Sequence, residues 1–173
     1  TDEQWYAMID CHLTAPFRLL RAAQPVIRNL LKEEMKGGKA TVRKVVNISS
    51  TSGIVGYEGQ VNYSSAKAGV IGMTRTLAKE WGRLNVTVNC VAFGYITTRL
   101  TAATANEGAT ARIEGRDIRI GVNPALMDSI LKSIPLGRPG MPEDAAGAVY
   151  MFCIPESNYV SGQTIICAGG FTG

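Results

Sequence analysis

The chain has 173 residues, 46% hydrophobic and 18% charged, with 18 Lys plus Arg against 14 Asp plus Glu and a net charge of +4. That is one domain's worth of chain with enough apolar content for a core, which excludes a disordered or acidic tail. Apolar runs are short and broken, the opening TDEQWYAMID is acidic, and no basic cluster carries interleaved aromatics. A membrane span, a signal peptide at this end and a nucleic-acid partner are therefore not expected.

The elements follow in chain order. Thr1 and Gln4 have the spacing of a capping box. Trp5, Ile9, Leu13, Phe17, Leu20, Ile27 and Leu31 then recur near a helical period, with Pro16 and Pro25 expected to kink or break the helix and Gly37–Gly38 to end it. Lys44–Ser49 (KVVNIS) reads as a buried strand and Ser50–Asn62 as a Ser/Gly-rich loop. Tyr63–Gly82 reads as a helix. Val70, Met73, Leu77 and Trp81 share one face, and its small-residue first half lets another element come close.

Asn85–Ala92 alternates as a strand. Residues 97–123 read as a mobile insertion with some helix. Pro124–Ser133 and Pro142–Cys153 read as helices, the latter with Pro at its start and Glu143 and Asp144 at its positive end. Gln163–Cys167 is a last strand. Strands separated by helices imply a parallel sheet with crossovers, an α/β fold.

Cys11, Cys90, Cys153 and Cys167 form no CxxC pair, and His12 is the single histidine, so no metal site is expected. The cysteines read as buried free thiols of a reducing compartment, the cytoplasm, with the mitochondrial matrix also compatible.

Tyr63 and Lys67 lie four apart at a helix start and project from one face. A free phenol titrates near ~10 and is a poor proton donor at neutral pH. An adjacent ammonium favours the phenolate, so the pair can serve as an acid/base for carbonyl chemistry. Ser50 stands thirteen residues earlier, at the end of a predicted strand, where ligands bind in parallel sheets. Its hydroxyl can bond the same oxygen that Tyr63 protonates.

The run VVNISSTSGIVGYEGQVNYSSAKAGV joins strand, Ser, Gly loop, Tyr and Lys. It resembles the short-chain dehydrogenase/reductases. VNCVAFGYITT is similar to that family's Asn-x-x-x-Pro-Gly-x-x-x-Thr segment, and VSGQTIICAGG to its final strand. The resemblance implies a doubly wound, Rossmann-type parallel sheet and an NAD- or NADP-dependent oxidoreductase. Its substrate would be a ketone or secondary alcohol, a 3-oxoacyl thioester among them. It implies Ser50 as the group orienting the carbonyl, Tyr63 as general acid, and Lys67 lowering the Tyr63 pKa and holding the nicotinamide ribose. Gly94 would supply the turn, Ile96 backbone would meet the carboxamide, and Thr98 would lie near the phosphates. Asn89 reads as structural. A homodimer or homotetramer follows from the way relatives pair their helices.

Three positions depart from the family pattern. His12 stands where an Asn continues a proton relay, and the imidazole can take that part. Phe93 replaces a Pro, which suggests a less rigid loop, and Ala168 replaces an Asp. The G-x-x-x-G-x-G turn that cradles a pyrophosphate does not occur in the 173 residues, so they are expected to be the C-terminal portion of such a domain. The rival expectation is a non-catalytic scaffold or assembly partner.

Overall fold

A computed structural model describes residues 1–98, 101, 110–113, 116–119 and 124–171, with side chains for 1–98, 101, 110 and 129–171. The elements run α1 (Asp2–Ile9), a π-helical turn (Asp10–Thr14), α2 (Ala15–Lys36), β1 (Arg43–Ser50), α3 (Ser52–Val55), α4 (Val61–Trp81) and β2 (Val86–Phe93). They continue with β3 (Thr110–Ile113), β4 (Arg116–Arg119), α5 (Pro124–Ser133), α6 (Pro142–Tyr150) and β5 (Thr164–Cys167). The expected parallel sheet is present, in the order β1-β2-β5. Ser50 stands opposite Phe93, and Phe93 opposite Cys167, so the three strands end level and their following residues share one rim.

β2 is the central strand, which explains its nearly unbroken apolar run: it is covered on both faces. Val86 and Val88 meet Trp81 and Leu84, with Leu20, Ile27, Leu31 and Leu77 from α2 and α4 over them. Val91 faces the other way, against Ala148 of α6 and Phe152. Asn89 is buried and structural as expected: its amide donates to Val160 O at 2.8 Å and accepts from Gln163 N–H at 3.0 Å. Asn85 closes the turn after α4 with φ 56°, a left-handed conformation that Asn tolerates, and β2 therefore starts one residue later than predicted.

The first helix corrects an expectation. The Thr1–Gln4 capping box forms, but neither proline breaks the helical path. Pro16 falls in the first turn of α2, directly after the π turn, where Ala15 N–H already reaches back five residues to Asp10 O. The hydrogen-bond ladder has shifted before the missing N–H is met. Pro25 sits inside α2 without ending it. An interior proline costs about 3 kcal/mol. Leu20, Ile27 and Leu31, partly buried against the core, work against that cost through the apolar area they remove from water.

Other boundaries move for local reasons. The Ser50–Asn62 loop contains the single turn α3, and α4 begins at Val61. α6 ends at Tyr150 because the next turn tightens to three-residue bonds ahead of Ile154–Pro155. Within 97–123, β3 and β4 pair as an antiparallel ribbon where some helix was expected; their β-branched Thr110, Ile113 and Ile118 favour strand. The rest of that predicted insertion (99–100, 102–109, 114–115 and 120–123) lies outside the described residues. Of the thiols only Cys90 is buried. Cys167 is partly covered, Cys11 lies exposed on the π turn and Cys153 exposed beyond the end of α6. Among the described residues there is no metal-ligating cluster and no helix long and apolar enough to cross a membrane.

Candidate active site

Three side-chain hydrogen bonds lock α4 onto β1. Asn47 donates to the Thr74 hydroxyl at 2.9 Å, and the Ser49 hydroxyl donates to Lys67 O at 2.8 Å. The Lys67 ammonium donates to Ile48 O at 3.1 Å. The lysine is only 8% exposed, and burial pulls its pKa below that of an ordinary lysine. It still lies 5.6 Å from the centre of the Tyr63 ring, as the four-residue spacing requires. His12, carried by the π turn, meets the same ring edge-on at 5.1 Å and 88°. Burial first, then the Lys67 charge, lowers the His12 pKa, which favours the neutral imidazole. Tyr63, Lys67 and His12 thus form one cluster.

Ser50 forms a second. It lines a cavity of about 510 Å³ with Ser52, Tyr57, Gln60, Gly94 and Tyr95, closed from the far side by α5 and Phe171. Tyr57 stacks on Phe171 and donates its hydroxyl to Thr51 at 3.2 Å. The clusters are joined by consecutive residues, since Ile48 and Ser49 bond Lys67 and Ser50 follows. They are also joined by α3: a Cβ on Gly53 would stand 2.6 Å from Lys67 C and 2.7 Å from Ala68 N. α4 receives the first helix in the same manner, with Leu13 filling the space that a side chain on Gly69 would need. Tyr63 is not among the residues lining the Ser50 cavity.

Gly94 fits because a Cβ there would stand 2.6 Å from that of Ala168; the two positions are small together. Phe93 belongs to the strand that leads into this loop. It is the last residue of β2, and its carbonyl accepts from Thr51 N–H at 2.9 Å. Ile96 forms a parallel bridge with Gly140 that uses the N–H groups of Thr97 and Gly140. Ile96's own N–H points away from that bridge, and among the described residues it has no partner. Ile96 also lines a second cavity, of about 460 Å³. Thr98 is tied to Thr101, its N–H at 2.8 Å and its hydroxyl at 3.0 Å. Sequence reasoning missed Ser52, Tyr57, Gln60 and Tyr95. The only signals for them were the hydroxyl-rich SSTS run and a glutamine, a poor capping residue, where α4 starts.

A parallel sheet whose central strand is covered on both faces, with Ser50 and Gly94 at its carboxyl rim, defines a Rossmann-type α/β protein. The solved structure of a 4-hydroxyisoleucine dehydrogenase complexed with NADH and succinate superposes with a TM-score of 0.75 at 26% identity, over 99% of this chain and 60% of that one. Residues 1–172 match the family model described as Enoyl-(Acyl carrier protein) reductase, and the chain belongs to the short-chain dehydrogenase/reductase family. Curated relatives include the 3-oxoacyl-(acyl-carrier-protein) reductases of Chlamydia muridarum, 35% identical over 98% of this chain, and of a Synechocystis species, 39% identical over 97%. The chain spans 57% and 56% of those two proteins.

Proposed function

We propose that the intact protein carrying these residues is an NAD(P)-dependent oxidoreductase that reduces a ketone, or oxidises the corresponding alcohol, with a 3-oxoacyl thioester as the favoured substrate. The observation that carries this reading is the Tyr63–Lys67 pair fastened to the strand that ends in Ser50. The named activity of the relatives supports it over a scaffold role.

The residues fit a nicotinamide cofactor. Lys67 has three N–H donors and, among the described residues, one acceptor, Ile48 O, which leaves donors for ribose hydroxyls. The Ile96 N–H, without a partner among the described residues, suits a carboxamide oxygen. The cofactor when bound supplies the hydride. Ser50 would hold the carbonyl oxygen where Tyr63 can give it a proton, with the Lys67 ammonium 5.6 Å from the centre of the Tyr63 ring. Thr98, as its bonds to Thr101 stand, reaches a phosphate only by exchanging them. The test is consumption of NADH or NADPH by the intact protein with acetoacetyl-coenzyme A. No turnover with either cofactor would refute the reading.

His12 adds a pH dependence. A proton on His12 places a second positive charge beside Lys67 and Tyr63, at the cost its lowered pKa expresses. The charge appears only below the ordinary imidazole value of ~6.5. Activity is therefore expected to fall on the acid side, and His12→Asn to remove that fall while preserving turnover. An acid limb unchanged in His12→Asn assigns it to another group.

The proposal includes self-association. Phe17, Leu19, Val26 and Leu30 of α2 are exposed, as are Trp5 and Tyr6 of α1. A homodimer or homotetramer would cover them. Light scattering at micromolar concentration is expected to give a multiple of the subunit mass; a monomer mass contradicts the association.

A further inference from the structure

Three side chains on the wall of the Ser50 cavity form a chain of hydrogen bonds that the roles above leave unused. The Ser50 hydroxyl donates to Ser52 Oγ at 3.2 Å, and Ser52 N–H donates back to Ser50 Oγ at 3.2 Å. The Ser52 hydroxyl in turn donates to Gln60 Oε1 at 2.9 Å. Gln60 occupies the N-cap position of α4 yet makes no side-chain cap; its backbone carbonyl accepts from Ser64 N–H, and its amide turns to Ser52 instead. With the Ser52 proton committed to Gln60, Ser52 Oγ is the acceptor for Ser50, and the Ser50 proton lies along the wall. A carbonyl in the cavity needs that proton.

An amide carries an acceptor on one side and two donors on the other. Turned over, Gln60 donates Nε2–H to Ser52 Oγ, the Ser52 hydroxyl donates to Ser50 Oγ, and the Ser50 hydroxyl is released to the substrate oxygen. Every bond then points the same way, and each strengthens the next. We infer that Gln60 is a positioning residue, which by turning its side-chain amide sets the direction of the Gln60–Ser52–Ser50 chain and makes Ser50 a donor to a bound carbonyl. The inference rests on the carbonyl-reductase reading above.

Gln60→Glu tests it, because a carboxylate keeps the size and the acceptor but cannot donate. Among the described residues, the titratable groups around the chain are Tyr57 and Glu58 on the same loop, Tyr95 after β2, and Tyr63 and Lys67 on α4; Ile130 and Ser133 of α5 and Ile134 just after it are uncharged. The wild-type pH profile therefore controls for Glu58. With acetoacetyl-coenzyme A and the intact protein, Gln60→Glu is expected to lower kcat about three- to tenfold at neutral pH, the worth of one hydrogen bond. KM should change little, and the ratio of variant to wild-type kcat should return toward one as pH falls through the carboxyl range, since a protonated acid donates again. Ser52→Ala breaks the chain midway: Ser50 loses the donor behind it but also the acceptor that drew its proton to the wall, so the loss should be smaller than in Gln60→Glu and without acid recovery, and the double variant should be no worse than Gln60→Glu.

Wild-type kcat in Gln60→Glu at neutral pH, a loss independent of pH, or additive losses would each overturn the inference. If Gln60→Glu does not fold, Ser52→Ala decides: a reduced kcat at constant KM supports the chain and an unchanged kcat overturns it. The two readings fail separately. Tyr63→Phe with full activity sinks the assignment of the acid and leaves the chain standing if Gln60→Glu behaves as stated. An inactive Tyr63→Phe with an unaffected Gln60→Glu does the reverse, and an inactive wild type overturns both.

Discussion

Replacing Tyr63 with phenylalanine is expected to lower kcat of the intact protein by about 10²- to 10⁴-fold, the contribution of a positioned general acid. The substitution removes one oxygen and leaves the ring. The edge-on contact with His12 and the place of the ring below the Lys67 ammonium use the ring alone. Among the described residues the Tyr63 hydroxyl has no hydrogen-bond partner, and the Tyr63 backbone N–H donates to Asn62 Oδ1 independently of it, so loss of the hydroxyl orphans no protein group. The melting midpoint and cofactor affinity should therefore stay near the wild-type values while turnover collapses. Lys67→Ala should differ by weakening cofactor binding as well as turnover, because it removes the donors proposed for the ribose. Activity of more than a few per cent in Tyr63→Phe would mean that another group delivers the proton.

What the sequence revealed of this site, and what it hid, divides by range. β1, β2 and β5 were readable to within a residue or so because a buried parallel strand needs a short β-branched run, and KVVNIS, VTVNCVA and QTIIC have few other uses. The Tyr63–Lys67 pair was readable because helical spacing fixes both side chains on one face. The path of the first helix was not. Proline costs are local, whereas the π turn and the packing that offset them depend on α4 and β1 lying beneath. The coupling of Gln60 to Ser50 was equally hidden. It runs through Ser52 across a turn whose direction is set by the positive φ of Gly56 and Gly59 and by the close approach of Gly53 to α4. Nothing in the spacing of SSTSGIVGYEGQ requires that approach.

Gly53 is where fold and site depend on one atom's worth of space, and its replacement should have the largest structural effect. A Cβ there would lie 2.6 Å from Lys67 C, 2.7 Å from Ala68 N and 2.9 Å from Lys67 Cβ. Two of these neighbours are backbone held by the α4 ladder, so α3 must lift away from α4. Overpacking of this kind costs about 1–3 kcal/mol. At about 2–4 °C per kcal/mol for a chain of this size, Gly53→Ala should lower the melting midpoint by several degrees. The displacement also acts on the site: α3 carries Ser52, and its backing surface is the Lys67 backbone. Turnover should therefore fall more than the loss of folded protein explains. Gly82→Ala is the matched control. Gly82 is exposed at the end of α4 in right-handed helical conformation, with nothing within 4 Å of the added Cβ, and alanine there should be neutral or stabilising. Equal melting midpoints and equal kcat for the two variants would show that the α3–α4 contact does not carry the site.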